Sequence, residues 1–118
     1  MYFYKKLYVS DKIRHPSLVK WKLRHQAGQL TVYVLILCED GMDNQLELMH
    51  SAFLQQPFYR KNPPYIIGLA AGQSDGIELI RRIVQEVYDH TGTTDVRAYL
   101  FPHGVRRGNR EDGSNLEE

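Results

Sequence analysis

Residues 44–56 read Asn44-Gln45-Leu46-Glu47-Leu48-Met49-His50-Ser51-Ala52-Phe53-Leu54-Gln55-Gln56, and the shape they take decides the fold. Two periods compete in them. Leu46, Met49, Phe53 and Leu54 recur at i, i+3, i+7 and i+8, the spacing of one helix face. Asn44 with Glu47 has the form of a capping pair, and Pro57 supplies a stop. Leu46 and Leu48 also alternate, as in a strand returning from a hairpin at Asp40-Gly41. The helix satisfies more positions and is the expected form, with Phe53 facing the core and Gln55 facing water.

With that helix the order is βαβαβαβ, an α/β domain whose four-stranded, mostly parallel or mixed sheet is covered by helices. Without it, one βαβ unit follows another, which fits a ferredoxin-like α+β sandwich.

Downstream, Phe58–Pro64 reads as a stiff linker, since consecutive prolines disfavour helix. Tyr65–Ala70 is a continuous apolar run of strand length, as in a strand covered on both faces. A glycine-rich turn leads into an amphipathic helix. Its expected apolar stripe is Ile77, Ile80, Ile83, Val84, Val87 and Tyr88, with Asp75 and Glu78 as a capping box at its start. His90 and Gly92 mark its exit. Val96–Leu100 then alternates, which predicts a strand wet on one face, reached by a right-handed crossover. Residues 1–102 form the expected domain, and 103–118, polar and without periodicity, read as a disordered tail.

Upstream, residues 2–9 alternate as an edge strand, Phe3, Lys5, Leu7 and Val9 on one side and Tyr2, Tyr4, Lys6 and Tyr8 on the other. Pro16 fits a first helical position. The helix it opens runs to about His25, with Leu18, Val19, Trp21 and Leu23 partly buried, and Gly28 closes it. Leu30–Cys38 is β-branched, apolar and aromatic throughout, the composition of a central strand, and Glu39-Asp40-Gly41 ends it in a turn.

Composition bounds the function. A chain of 118 residues makes one domain with a real core. One cysteine, Cys38, excludes an internal disulfide framework and a cysteine-rich zinc site. The first residues lack the pattern of a signal peptide and the longest apolar run is too short for a bilayer, so the expected setting is the cytoplasm, with no membrane partner. Net charge is +1 but uneven: residues 1–25 hold seven basic side chains against Asp11 alone. That segment suggests a polyanion or partner surface made of Lys6, Tyr8, Lys20, Lys22 and Arg24.

No stretch is a catalytic signature. The turn at Gly72, Gln73 and Ser74 offers backbone N–H groups at a helix start, where an anion would sit, but its spacing matches neither the dinucleotide nor the P-loop fingerprint. Cys38 beside Glu39 and Asp40 has its thiolate disfavoured and reads as a small hydrophobe ending the core. Glu39, Asp40 and Asp43 lack the spacing of a calcium loop. The five histidines show no paired ligand spacing, so no metal or cofactor is expected. The sequence therefore points to a small binding or accessory domain acting by protein contact, with self-association open. The rivals are nucleic-acid binding through the basic segment, and an anion-binding domain or small enzyme using the turn at Gly68–Gly76.

Overall fold

The computed structural model of the chain describes residues 2–25, 31–38 and 46–104. Along them run β1 (Tyr2–Val9), α1 (Pro16–His25), β2 (Tyr33–Leu37), β3 (Leu46–His50), a 3-10 turn (Ser51–Gln55), α2 (Pro57–Lys61), β4 (Tyr65–Ala70), α3 (Gln73–Thr91) and α4 (Val96–Leu100). The strands form one mixed sheet in the order β1-β4-β2-β3. β1 and β4 are parallel, while β2 runs antiparallel to both β4 and β3. The architecture is a small α+β domain with four helices among the described residues.

Two expectations fail, and together they undo the βαβαβαβ order. The first is the helix over Asn44–Gln56. Leu46–His50 instead pairs residue for residue with Leu37–Tyr33. Leu46 and Leu48 pack toward α3, and Met49 enters the core on the other side of the sheet. Leu46 and Met49, neighbours on a helix, therefore lie on opposite faces. The physical reason is β2: its main-chain groups need partners on both sides once it is buried, and β3 supplies one side. After the strand, Phe53 is left 49% exposed and Leu54 takes the core position at 5%.

The second is the strand over Val96–Leu100, which is helix α4. Asp95 caps it, its Oδ1 accepting from the Ala98 N–H at 3.1 Å. Val96 and Leu100 are both buried, and i, i+4 is one turn of a helix as well as four steps of a strand. Ala98 separates the two readings: a strand would bury it with them, and it is exposed. Since no strand follows α3 among the described residues, neither the expected parallel crossover nor the ferredoxin-like alternative forms.

Smaller corrections have local causes. α3 begins at Gln73 with Gly72 as its cap, three residues ahead of the expected cap at Asp75. Its buried face is Gly76, Leu79, Ile83 and Val87, while Ile77 and Tyr88 are about half exposed. The face is turned because Leu48 of β3 lies against Gly76, where a Cβ would come within 2.5 Å of its Cδ1. On α1, Leu18 and Trp21 face water and Leu23 is buried. Pro57 starts the short helix α2 rather than stopping one, so the first half of the expected linker is helical. The expectations at Gly28, Glu39–Gly41, Asp43, Asn44 and 105–118 lie outside the described residues.

The rest stands as read: β1 is an edge strand, β2 is central, β4 is buried, Pro16 opens α1, and Gly92 ends α3 with φ 78°. The core has two layers. One, under α3 and α4, includes Leu35, Ile67, Leu79, Ile83 and Leu100; the other, under α1 and the 3-10 turn, includes Phe3, Leu23, Val34, Ile66 and Leu69. Each fully buried side chain of this kind contributes about 1.5–3 kcal/mol. β4 carries a bulge, since Leu35 pairs with Gly68 and Ile36 with Ile66, leaving Ile67 extra.

Candidate functional site

The turn at Gly72, Gln73 and Ser74 lies at the start of α3, with Gly72 half-buried and the other two exposed. The carboxylate of Asp75 already occupies this corner. Its Oδ2 accepts from the Ala71 N–H at 2.8 Å, and it is hydrogen-bonded to Ser10 at the end of β1. Burial pushes the Asp75 carboxyl up, but Ser10, the Ala71 N–H, Lys12 and Arg82 outweigh it and hold the group below its ordinary value. The chain thus supplies its own anion at this helix start, tying β1, β4 and α3 together.

The basic and aromatic residues of the first segment are divided between the two faces of the sheet. Lys20 Nζ lies 5.4 Å and Arg24 Cζ 4.8 Å from the centroid of the Phe3 ring, so both cover the layer under α1. Lys22 shares that helix. Tyr8 is on the opposite face. Its ring runs parallel to that of Tyr4 at 6.2 Å, and its hydroxyl donates to Glu86 Oε2 at 2.8 Å. The Tyr99 hydroxyl donates to the same oxygen at 2.9 Å. Burial first, then the hydrogen bond and charge of Glu86, push the Tyr8 phenol far above its ordinary value. Glu86 therefore clamps β1, α3 and α4, which sequence reading missed because its two partners lie far from it along the chain. Lys6 is exposed on β1. Lys20 and Arg24, one turn apart on α1, are brought together over Phe3; Lys22, two residues from each, is on another side of that helix, and Tyr8 is on the other face of the sheet.

The outer edge of β3 has a different character. No strand among the described residues pairs with it. The Ser51 N–H donates to the Val32 carbonyl at 2.9 Å, and Tyr33 stands opposite His50. This alternation turns the main-chain groups of Glu47, Met49 and Ser51 toward β2, and those of Leu46, Leu48 and His50 outward. A groove of about 390 Å³ wraps this edge, lined by side chains from both layers, among them Tyr33, Glu47, Phe53, Tyr59 and Gln73. The Tyr33 ring meets His50 edge-on at 5.2 Å. His50 is held further by its Nδ1, which accepts from the Ala52 N–H at 3.0 Å and caps the 3-10 turn. Cys38, half-buried, donates its Sγ–H toward Glu47 Oε1 at 3.8 Å.

The other edge is unlike it. Phe3 pairs with Ile66 and Tyr8 with Gly68, so Tyr4–Leu7 bulge out opposite Ile67 alone, and Lys5 and Lys6 are exposed there. A bulge and lysines are the usual means of blunting a strand edge against pairing. Among the described residues no three of His, Cys, Asp and Glu gather to hold a metal ion, and no helix is long and apolar enough to cross a membrane. No family model, no curated protein and no solved structure matches the chain.

Proposed function

We propose that this protein is a binding module that works by protein contact, and that the contact adds a partner's strand to the outer edge of β3. The contrast between the two sheet edges carries this reading. The β1 edge is bulged and carries two exposed lysines, whereas β3 holds an unbroken five-residue register. Its outward N–H and C=O groups at Leu46, Leu48 and His50 suit main-chain recognition, and the adjoining side chains supply selectivity. Nucleic acid is the weaker reading, because the basic residues and Tyr8 are split between faces and Lys20 and Arg24 cover Phe3. A reducing, cytoplasmic setting goes with this proposal, given one cysteine in the sequence.

The test is selection of short extended peptides from a displayed library, with the contact mapped by amide chemical shifts. Binders should perturb and protect the amides of Leu46, Leu48 and His50, and should be lost in Leu48→Pro while surviving Leu48→Ala. Proline removes an outward N–H and leaves the bonds to β2 in place. Binders that map to another surface would refute the reading.

A further inference from the structure

Resting on that edge reading, we infer that the strand added to β3 is β3 of a second copy of this chain, joined antiparallel about a two-fold axis at Leu48. The register follows from which residues face outward. Leu46, Leu48 and His50 present their main-chain groups to the partner, while Glu47 and Met49 present theirs to β2. A two-fold at Leu48 pairs Leu48 with its counterpart and Leu46 with the counterpart of His50, so all three outward residues bond at once. A two-fold at Glu47 would pair only Leu46 with Leu48, and one at Met49 only Leu48 with His50, so each leaves one of the three outward residues without a partner. The first of these would also set two Glu47 carboxylates face to face, which is destabilising. Centred on Leu48, Glu47 instead lies opposite the counterpart of Met49. The product is one continuous sheet in the order β1-β4-β2-β3-β3-β2-β4-β1.

The choice of a second copy over a lone peptide comes from what flanks the strand. β3 is five residues long, about 17 Å, and a stable contact buries about 1,200–2,000 Å² in total. Strand pairing alone is too small. Phe53, 49% exposed, lines the groove from the 3-10 turn. Ile77, 45% exposed, stands one turn from Gln73, which lines the groove from α3. These apolar side chains belong to the layers on opposite faces of the sheet; a peptide in the groove reaches Phe53 but leaves Ile77, which is outside the groove lining, in water. A second copy, built with the same layers, brings its own Ile77 and Phe53 against the seam.

Sedimentation velocity on the full chain over a wide concentration range tests this, with Leu48→Pro compared against Leu48→Ala. The expected result is a dimer whose dissociation constant rises about thirty-fold in the proline variant, because two main-chain bonds are lost, one from each copy. Circular dichroism checks that the variant folds. If it does not, Ile77→Glu and Phe53→Glu, both changes of exposed side chains, carry the decision and must weaken the dimer. A nitroxide on Glu47→Cys in a Cys38→Ser background should show strong dipolar broadening, since the register sets the two sites about 8 Å apart. A chain that stays monomeric at every concentration would sink the inference. So would a monomer whose Leu46, Leu48 and His50 amides are already protected, which would mean the chain covers its own edge. Library peptides still taken up at β3 by a monomer would leave the edge reading standing. A dimer indifferent to all three edge variants would overturn this inference, and the peptide selection would then decide the edge reading by itself.

Discussion

Replacing Gly68 by alanine probes how closely the central strands and α3 are fitted together. Gly68 is buried on β4, beside the extra residue of the bulge, where β2 pairs from one side and β1 from the other. A Cβ built there lies 3.0 Å from Leu35 Cδ1, 3.0 Å from the Tyr8 carbonyl oxygen and 3.1 Å from Leu79 Cδ2. The leucine tips can give by a few tenths of an ångström. The carbonyl belongs to β1 backbone and moves only with its strand. Overpacking of this kind costs about 1–3 kcal/mol. Alanine returns about 0.4–1 kcal/mol by restricting the unfolded chain, so the net loss, taken at the middle of both ranges, is about 1.3 kcal/mol. For a chain of this length that lowers Tm by roughly 3–10 °C.

Urea denaturation with a thermal melt measures the loss, and the midpoint should fall without a change of slope. Gly72→Ser is the control. Gly72 caps α3 with extended backbone, φ −168°, and nothing lies within 4 Å of its Cβ position, so serine should be neutral or slightly stabilising. Trimming Leu79 to valine in the Gly68→Ala background should rescue only part of the loss, because the carbonyl contact remains. A neutral or stabilising Gly68→Ala would falsify the close fit, and with it the account of why a glycine stands in the most buried strand.

The remaining predictions concern the side chains that hold the layers together. Leu54→Ala should cost about 2–5 kcal/mol and Phe53→Ala well under half of that, since Leu54 is buried and Phe53 half exposed; chemical denaturation decides, and equal losses would restore the helix over 44–56. Tyr8→Phe should cost about 1 kcal/mol through its bond to Glu86. Because the folded Tyr8 pKa lies above the ordinary 10.0, the folded chain holds the phenolic proton more tightly. That contribution is complete below about pH 10 and lost as pH rises from there through the folded value, so the alkaline loss of stability should be shallower in Tyr8→Phe. Asp75 works in the opposite sense. Its folded pKa lies below the ordinary 3.8, so its contribution is complete above that pH and lost as pH falls through the folded value, a dependence Asp75→Asn should remove in acid titrations followed by circular dichroism.

The misreadings of 44–56 and 96–100 share a cause. Short apolar segments are ambiguous because helix and strand periods coincide at i, i+4. Val96 and Leu100 satisfy both, and only the exposure of Ala98 and the cap from Asp95 separate them. Leu46, Met49, Phe53 and Leu54 fit a helix better than a strand on spacing alone. What outweighs that spacing is the need of β2 for a partner along its second side, which Val34 and Ile36 meet by pairing with Met49 and Glu47. That need is set by the burial of another segment, so no window around residue 50 contains it. The same holds for the candidate site. The alternation of Leu46 and Leu48 is visible in the sequence, but that their main-chain groups face outward follows only from the bond between Ser51 and Val32. Long apolar runs such as Tyr65–Ala70 are legible because their burial does not depend on which neighbour covers them. An edge strand is defined by its neighbours, and β3, where the proposed contact lies, is the element the local pattern describes least well.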